Sequence, residues 1–305
     1  MSNYRDNQVH MIADYEGDVT ELIKDREKGI YPILCTRDLV LFPTVLTPII
    51  LGRSQSVAVL EHFQQQKKGE AIFCAFAQKD SDEENPTQED LYEIGVFCRL
   101  IKMIDLPGQE GQTTIVAQGL GRCKLNKITQ SVPFYEGEVE SVSEGWPEKD
   151  DAEFALLQQT LRAQTIQLIH ACEDMPNEAE YALNNISNPL VRPNFIFSSM
   201  PFTVEDKMKL LRMDKVKDRI MEALKMENVL MQMYALQSDI RRKTKNDIDE
   251  QQREYFLQQQ LKNIKEELGG NDMSPEKKEI LDKAKTKKWN ENVEKTFQKE
   301  FKKLD

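Results

Sequence analysis

Between Trp146 and Leu268 the chain contains no glycine, and from Val204 to Leu268 it contains neither glycine nor proline. A run of 65 residues without either helix-ending residue type predicts helix, which as one straight rod would extend roughly 100 Å. Eleven of the 13 glycines fall before residue 146, so the first half is punctuated by turns. This asymmetry excludes one uniform fold, such as a barrel or a doubly wound sheet spread over all 305 residues. The length suggests two or three domains. With only 39% hydrophobic and 30% charged residues, part of the chain must be solvated helix or tail.

Residues 1–29 hold seven acidic and four basic side chains without an apolar core segment, and read as a mobile acidic tail with no signal peptide. From Tyr31 the pattern changes. Tyr31–Cys35, Leu39–Phe42 and Thr47–Leu51 are short apolar runs, confined to short or edge strands by Pro32, Pro43 and Pro48. Ser54 can cap a helix with Val57, Val59, Leu60 and Phe63 at helical spacing. Ala71–Ala77 reads as a buried strand, and Ile94, Val96, Cys98 and Leu100 alternate on one strand face. Pro107, Gly108 and Gly111 mark a hairpin turn before strands over 113–118, 124–128 and 134–142. Six or seven strands with one inserted helix predict a small barrel or sandwich over residues 30–145.

After Trp146-Pro147 the periodicity is helical. A helical bundle is expected over 146–240 and a long arm over 241–305. Met226, Val229, Met233, Leu236 and Ile240 repeat at 3-4-3-4, as do Leu257, Leu261, Ile264 and Leu268 at 4-3-4. Nine of the 14 residues between Ile240 and Tyr255 are charged, so that stretch is a bare arm or a hinge. Ser274-Pro275 starts a last helix as N-cap and first residue, and the S-x-x-K pattern it completes with Lys277 is too solvated for a nucleophile.

The search for catalytic chemistry is negative. No P-loop occurs, and Gly119-Leu120-Gly121 lacks the third glycine of a dinucleotide loop, so it reads as a turn or bulge. His10, His62 and His170 have no metal-ligand spacing, and the five cysteines form no CxxC pair, as expected of reduced thiols in the cytosol. Catalytic, metal and cofactor-binding residues are therefore none. The charge is −9 over residues 1–145 and −2 over 146–305, which disfavours nucleic acid as a partner. No apolar stretch is long enough to span a membrane.

One compositional feature points to binding. Seven of the 12 methionines lie in residues 200–233, and flexible, polarisable Met suits adaptable apolar contacts as well as a bundle core. The candidate protein contacts are Met226, Met231, Met233 and Tyr234 on the bundle, Tyr255 and Phe256 on the arm, and Arg53 and Gln55 at the start of the inserted helix. Leu257, Leu261, Ile264 and Leu268 are candidates for self-association.

The ordered blocks Tyr31–Pro43, Pro48–Arg53, Ala77–Asp80, Glu89–Gly95 and Gly119–Arg122 resemble the N-terminal domain of ATP-dependent Lon proteases. Gln252–Gly269 is similar to the helical stretch preceding the ATPase of that family. The resemblance covers residues 30–305. It implies an α+β fold: a PUA-like β pseudobarrel with an inserted helix, then a helical bundle and a long arm leading toward an ATPase module. It implies a role in substrate recognition, gating and assembly for a cytoplasmic stress-response and quality-control protease. Unfolded or degron-bearing proteins would be the partners and a homohexamer the assembly. ATP, Mg and a Ser-Lys peptidase dyad would belong to the parent beyond residue 305, with no cofactor in this chain. A purely structural assembly or spacer module, and a stand-alone adaptor without protease activity, are the alternatives.

Overall fold

The computed structural model describes residues 19–52, 54–64, 71–105, 113–148, 150–172, 175, 178–267 and 275–301. Six strands, β1 (Gly29–Thr36), β2 (Leu46–Leu51), β3 (Ile72–Ala77), β4 (Ile94–Asp105), β5 (Thr113–Gln130) and β6 (Tyr135–Val142), lie in the order β2-β5-β4-β3-β1-β6. β5 is long enough to serve three neighbours. Its first part pairs with β2 and β4, and its second part, from Arg122 to Gln130, pairs with β6. Since β6 also pairs with β1, the strands β5-β4-β3-β1-β6 form a closed ring with β2 attached outside it. Closure removes the exposed edges that an open sheet would carry. The fold class is α+β, a pseudobarrel followed by helices.

The β3 run is continuously apolar because both of its faces are buried. Cys74 and Phe76 point into the barrel with Ile33, Phe97, Leu120, Cys123 and Val139. Phe73, Ala75 and Ala77 point outward into a larger core with the helices. α2 (Ser54–Gln64) links β2 to β3 and buries Val59, Leu60 and Phe63 on that outer face. Among the helices α3 (Ala152–Ala171), α4 (Glu178–Asn185), α5 (Arg192–Ser199) and α6 (Val204–Arg212), the side chains of Leu161, Leu168, Phe197 and Met208 complete the larger core. Phe42 meets Phe197 with ring centroids 5.9 Å apart. The β portion and the helical portion, expected as separate domains, therefore share one core. One compact unit runs to Gln237 and a second begins at Ser238.

Four expectations are corrected. The tail expected over residues 1–29 belongs to the fold from Val19 onward: α1 (Val19–Leu22) buries Val19 and Leu22. Leu39–Phe42 is buried from Val40 onward, with Leu39 half-buried, but is not a strand, because the segment after it turns at Thr44, whose φ is 67°. There Thr44 N donates to Gly119 O at 2.9 Å and Gly119 N donates to Val45 O at 2.8 Å. That approach leaves no room for a side chain at Gly119, where a Cβ would stand 2.1 Å from Phe42 O. Gly119 thus lies within β5, beside a register shift between Val96 and Cys98 of β4, which fits the bulge of the two expected readings and not the turn.

The third correction concerns the helical run from Val204. It is broken at Met213–Lys215, between α6 and α7 (Val216–Glu267), without glycine or proline. Arg122 Nη1 donates to Leu211 O and Met213 O at 3.1 and 3.2 Å, and Arg219 Nε donates to Met213 O at 2.7 Å. Gly145 N donates to Asp214 O and Gly145 O accepts from Val216 N. Backbone groups that would continue the helix are satisfied from the barrel instead. The fourth is the boundary expected at residue 240, which falls at Gln237.

The second unit contains the rest of α7, α8 (Pro275–Lys285) and α9 (Glu291–Phe301). α7 is helical throughout the charged stretch 241–254. Trp289 packs edge-on against Phe297 at 4.8 Å, and Phe297 stacks on Phe301 at 5.5 Å. Ser274 and the hairpin residues Pro107, Gly108 and Gly111 lie outside the described residues.

Candidate functional site

The root of α7 has two unlike faces. Val216, Ile220, Ala223 and Glu227 are buried at spacings of 4, 3 and 4, and Leu230 and Tyr234 continue that row as half-buried side chains packed on the core. Met226, Val229, Met233 and Leu236 follow a second row, of which Val229 is 65%, Met233 51% and Leu236 62% exposed. At 100° per residue the two rows are separated by roughly a quarter of the helix circumference. The outer row is an apolar ledge standing beside the core.

The candidate contacts divide accordingly. Met226 and Met233 share the second row, Met233 exposed and Met226 half-buried against the core. Met231 and Tyr234 are half-buried against the core, and Met231 lies on the flank opposite Met233, so those two methionines do not form one patch. Met200 and Met208 are buried core residues. Tyr255 and Phe256 are exposed and belong to the second unit. Gln55 is held by the barrel: its Nε2 donates to Ser131 O at 3.5 Å, and with Ile33, Cys35, Ser56 and Tyr135 it lines a cavity of about 10 Å³. Such a volume holds about one water. Arg53 lies outside the described residues, as does Leu268. Leu257, Leu261 and Ile264 are exposed along one face of α7. Of the thiols, Cys74 and Cys98 are buried in the barrel wall, and burial pushes the Cys35 thiol up to about 12, so none is a ready nucleophile.

Two buried polar clusters hold the ledge in place. The Arg122 side chain, wholly buried, bonds Glu144 Oε1 at 2.8 Å and Ser143 O at 2.6 Å, while Arg219 lies 2.8 Å from the other Glu144 oxygen. Burial draws the Arg219 guanidinium downward in pKa, and Glu144 opposes that. Higher on α7, Thr165 Oγ1 is 2.8 Å from Leu161 O and 2.7 Å from Glu227 Oε1. One hydroxyl proton cannot serve both acceptors. The arrangement is complete when Thr165 donates to Leu161 O and a protonated Glu227 donates to Thr165. Burial raises the Glu227 carboxyl to about 7, consistent with that proton. Sequence reasoning missed Glu227; its place in the 216-220-223-227 row was the available signal.

Residues 30–228 match the family of the ATP-dependent protease La (LON) substrate-binding domain. The chain belongs to the Lon family. The Lon protease of Flavobacterium johnsoniae is 36% identical over 273 residues, covering 90% of this chain and 33% of that protein. Those of Parabacteroides distasonis and Porphyromonas gingivalis are 36% and 37% identical, covering 96% and 92% of this chain and 35% and 33% of theirs. The chain thus spans about a third of the length of these Lon proteases. The N-terminal domain of Mycobacterium avium complex Lon protease superposes with a TM-score of 0.46 at 19% identity, over 68% of this chain and 98% of that one. Of the ledge, Met226 lies within the residues that match the Lon domain family, and Val229, Met233 and Leu236 lie just beyond them. Among the described residues no helix is long and apolar enough to cross a membrane.

Proposed function

We propose that this chain is the substrate-receiving part of an ATP-dependent serine protease and catches apolar segments of unfolded or degron-bearing proteins on the α7 ledge. The observation that carries the reading is the exposed row of Val229, Met233 and Leu236 with Met226, fixed at its root by a buried face. Flexible Met beside branched apolar residues accommodates varied side chains, as a receiver of many sequences requires. The ATPase, its Mg-ATP and the Ser-Lys peptidase belong in this reading to the remainder of a cytoplasmic, homohexameric parent whose substrate entry this part gates. Val229→Ser with Met233→Ser tests it. Binding of a reduced, carboxymethylated protein should weaken by about tenfold or more, as two apolar anchors lose their contacts, while the circular dichroism and melting temperature stay near those of the parent chain. Unchanged binding in a folded variant overturns it.

A second reading rests on Leu257, Leu261 and Ile264, which leave a seam of coiled-coil spacing exposed in the second unit. In that reading the arm serves assembly. Truncation at Lys245 followed by light scattering separates the two: loss of self-association with retained binding of unfolded protein supports the structural role of the arm.

A further inference from the structure

The barrel interior is closed at one end by the chain's own residues 19–28. α1 is a single turn, with Ile23 N donating to Val19 O at 3.3 Å, and it inserts Val19 and Leu22 as buried side chains. Leu22 joins Phe97, Leu120, Cys123 and Val139 in the inner cluster. Four residues on, the Arg26 guanidinium lies over the Phe97 ring, 5.6 Å from its centroid. Polar contacts also tie this strap down: Arg26 N donates to Ser141 Oγ at 2.7 Å, Ser141 Oγ donates to Arg26 O at 3.1 Å, Ser143 Oγ meets Asp25 Oδ2 at 3.3 Å, and Tyr31 Oη donates to Glu27 O at 3.0 Å. Lys28 adds an exposed pair with Glu138.

One part of the fit is unfavourable. Arg99, on the same face of β4 as Phe97, has its Nε buried without a hydrogen-bond partner, and no carboxylate among the described residues pairs with it. The Arg26 guanidinium, set over the ring of Phe97 two residues before Arg99 on that face, is drawn down in pKa by burial first and then by Arg99. Like charges at short range in a partly buried setting oppose the contact they sit in. An isolated helical turn contributes no stability of its own. The strap is therefore an occupant with fitting apolar anchors and a charge that Arg99 opposes.

We propose that this end of the barrel is a peptide-docking surface, occupied in cis by residues 19–28, whose partner is a short helical turn of another protein. That partner is apolar at its first and fourth positions and carries a carboxylate side chain four residues later, opposite Arg99. The surface is separate from the α7 ledge and does not depend on it. Short helical peptides probe the one and unfolded protein the other, so the two readings fail independently.

The test uses two fluorescent peptides, one reproducing residues 19–28 and the other the same sequence with Arg26→Glu. Against a chain that begins at residue 28, the R26E peptide should bind about tenfold more tightly than the native one, the effect of exchanging a repulsive for an attractive charge contact. Arg99→Gln should remove the difference. In the intact chain, excess R26E peptide should speed hydrogen exchange of amides 19–27. Where the shortened chain does not fold, Arg26→Glu in the intact chain gives the answer. It should raise the melting temperature by about 2–4 °C, and Arg99→Gln should cancel that rise. Equal binding of both peptides, an R26E advantage that survives Arg99→Gln, strap exchange unaffected by peptide, or no rise in melting temperature overturns the proposal.

Discussion

The two portions of α7 carry the same kind of apolar repeat and differ in what stands behind it. In the first unit the row Met226, Val229, Met233, Leu236 is backed by a second row that is buried in the core. In the second unit Leu257, Leu261 and Ile264 have no buried row behind them, and beyond Glu227 no described residue of α7 is buried. A heptad pattern alone does not distinguish these situations. The difference lies in whether a helix shows one apolar row or two, and a second row anchors the first as a rigid surface.

The comparison is broken most severely by Arg122→Ala. That change removes the donors to Glu144, Leu211 O and Met213 O at the base of α7, leaving buried groups unpaired. It should cost the first unit about 3–5 kcal/mol in urea unfolding, with the far-ultraviolet signal of the second unit's helices retained.

Next is pH. The Glu227 carboxyl, raised from 4.5 to about 7, contributes stability that is complete below its unfolded value and lost as pH rises through 7. The first unit should lose about 3 kcal/mol between pH 4.5 and 8 from this group, a size set by its shift. Glu227→Gln should flatten that dependence and be the more stable protein at pH 8. A parallel pH profile in the variant would remove Glu227 as the source.

Gly119→Ala should destabilise the barrel by about 2 kcal/mol, since its Cβ meets backbone rather than a yielding side chain. Smallest of all is Leu257→Ser with Leu261→Ser. Both positions are exposed, so the stability of the first unit should move by less than about 0.5 kcal/mol. A larger loss would mean that the second unit's seam is not independent of the core.

The sequence carried the strands and helices well where local pattern and burial agree. The β3 run, the alternation of β4 and the 3-4 rows of α7 were all readable, because in each the side chains themselves record which faces are covered. What escaped was decided by groups distant in sequence. Arg122 ends α6 from 89 to 91 positions away, through backbone carbonyls that carry no residue signature. Residues 19–28 are polar enough to read as a tail, and the side chains described as buried there are Val19 and Leu22. Of the candidate site, the exposed row was legible as a repeat. The separation of Met231 from Met233 was not, because it depends on which side of α7 the core occupies. Gln55 looked available at a helix start, and the contact with Ser131 that engages it lies 76 positions away.

The closed ring also sets an order of events during synthesis. Gly29 in β1 pairs with Val139 in β6, 110 positions later. At ~5–20 residues per second, roughly 5–20 s separate the emergence of those two residues from a ribosome. Over that interval β1 lacks its partner β6, although β3 and β4 emerge within it, and Arg122 emerges well before the carbonyls of Leu211 and Met213 that will accept its protons. The first half of this chain therefore spends its youth as an unfinished sheet, in need of the very protection from aggregation that quality-control systems provide.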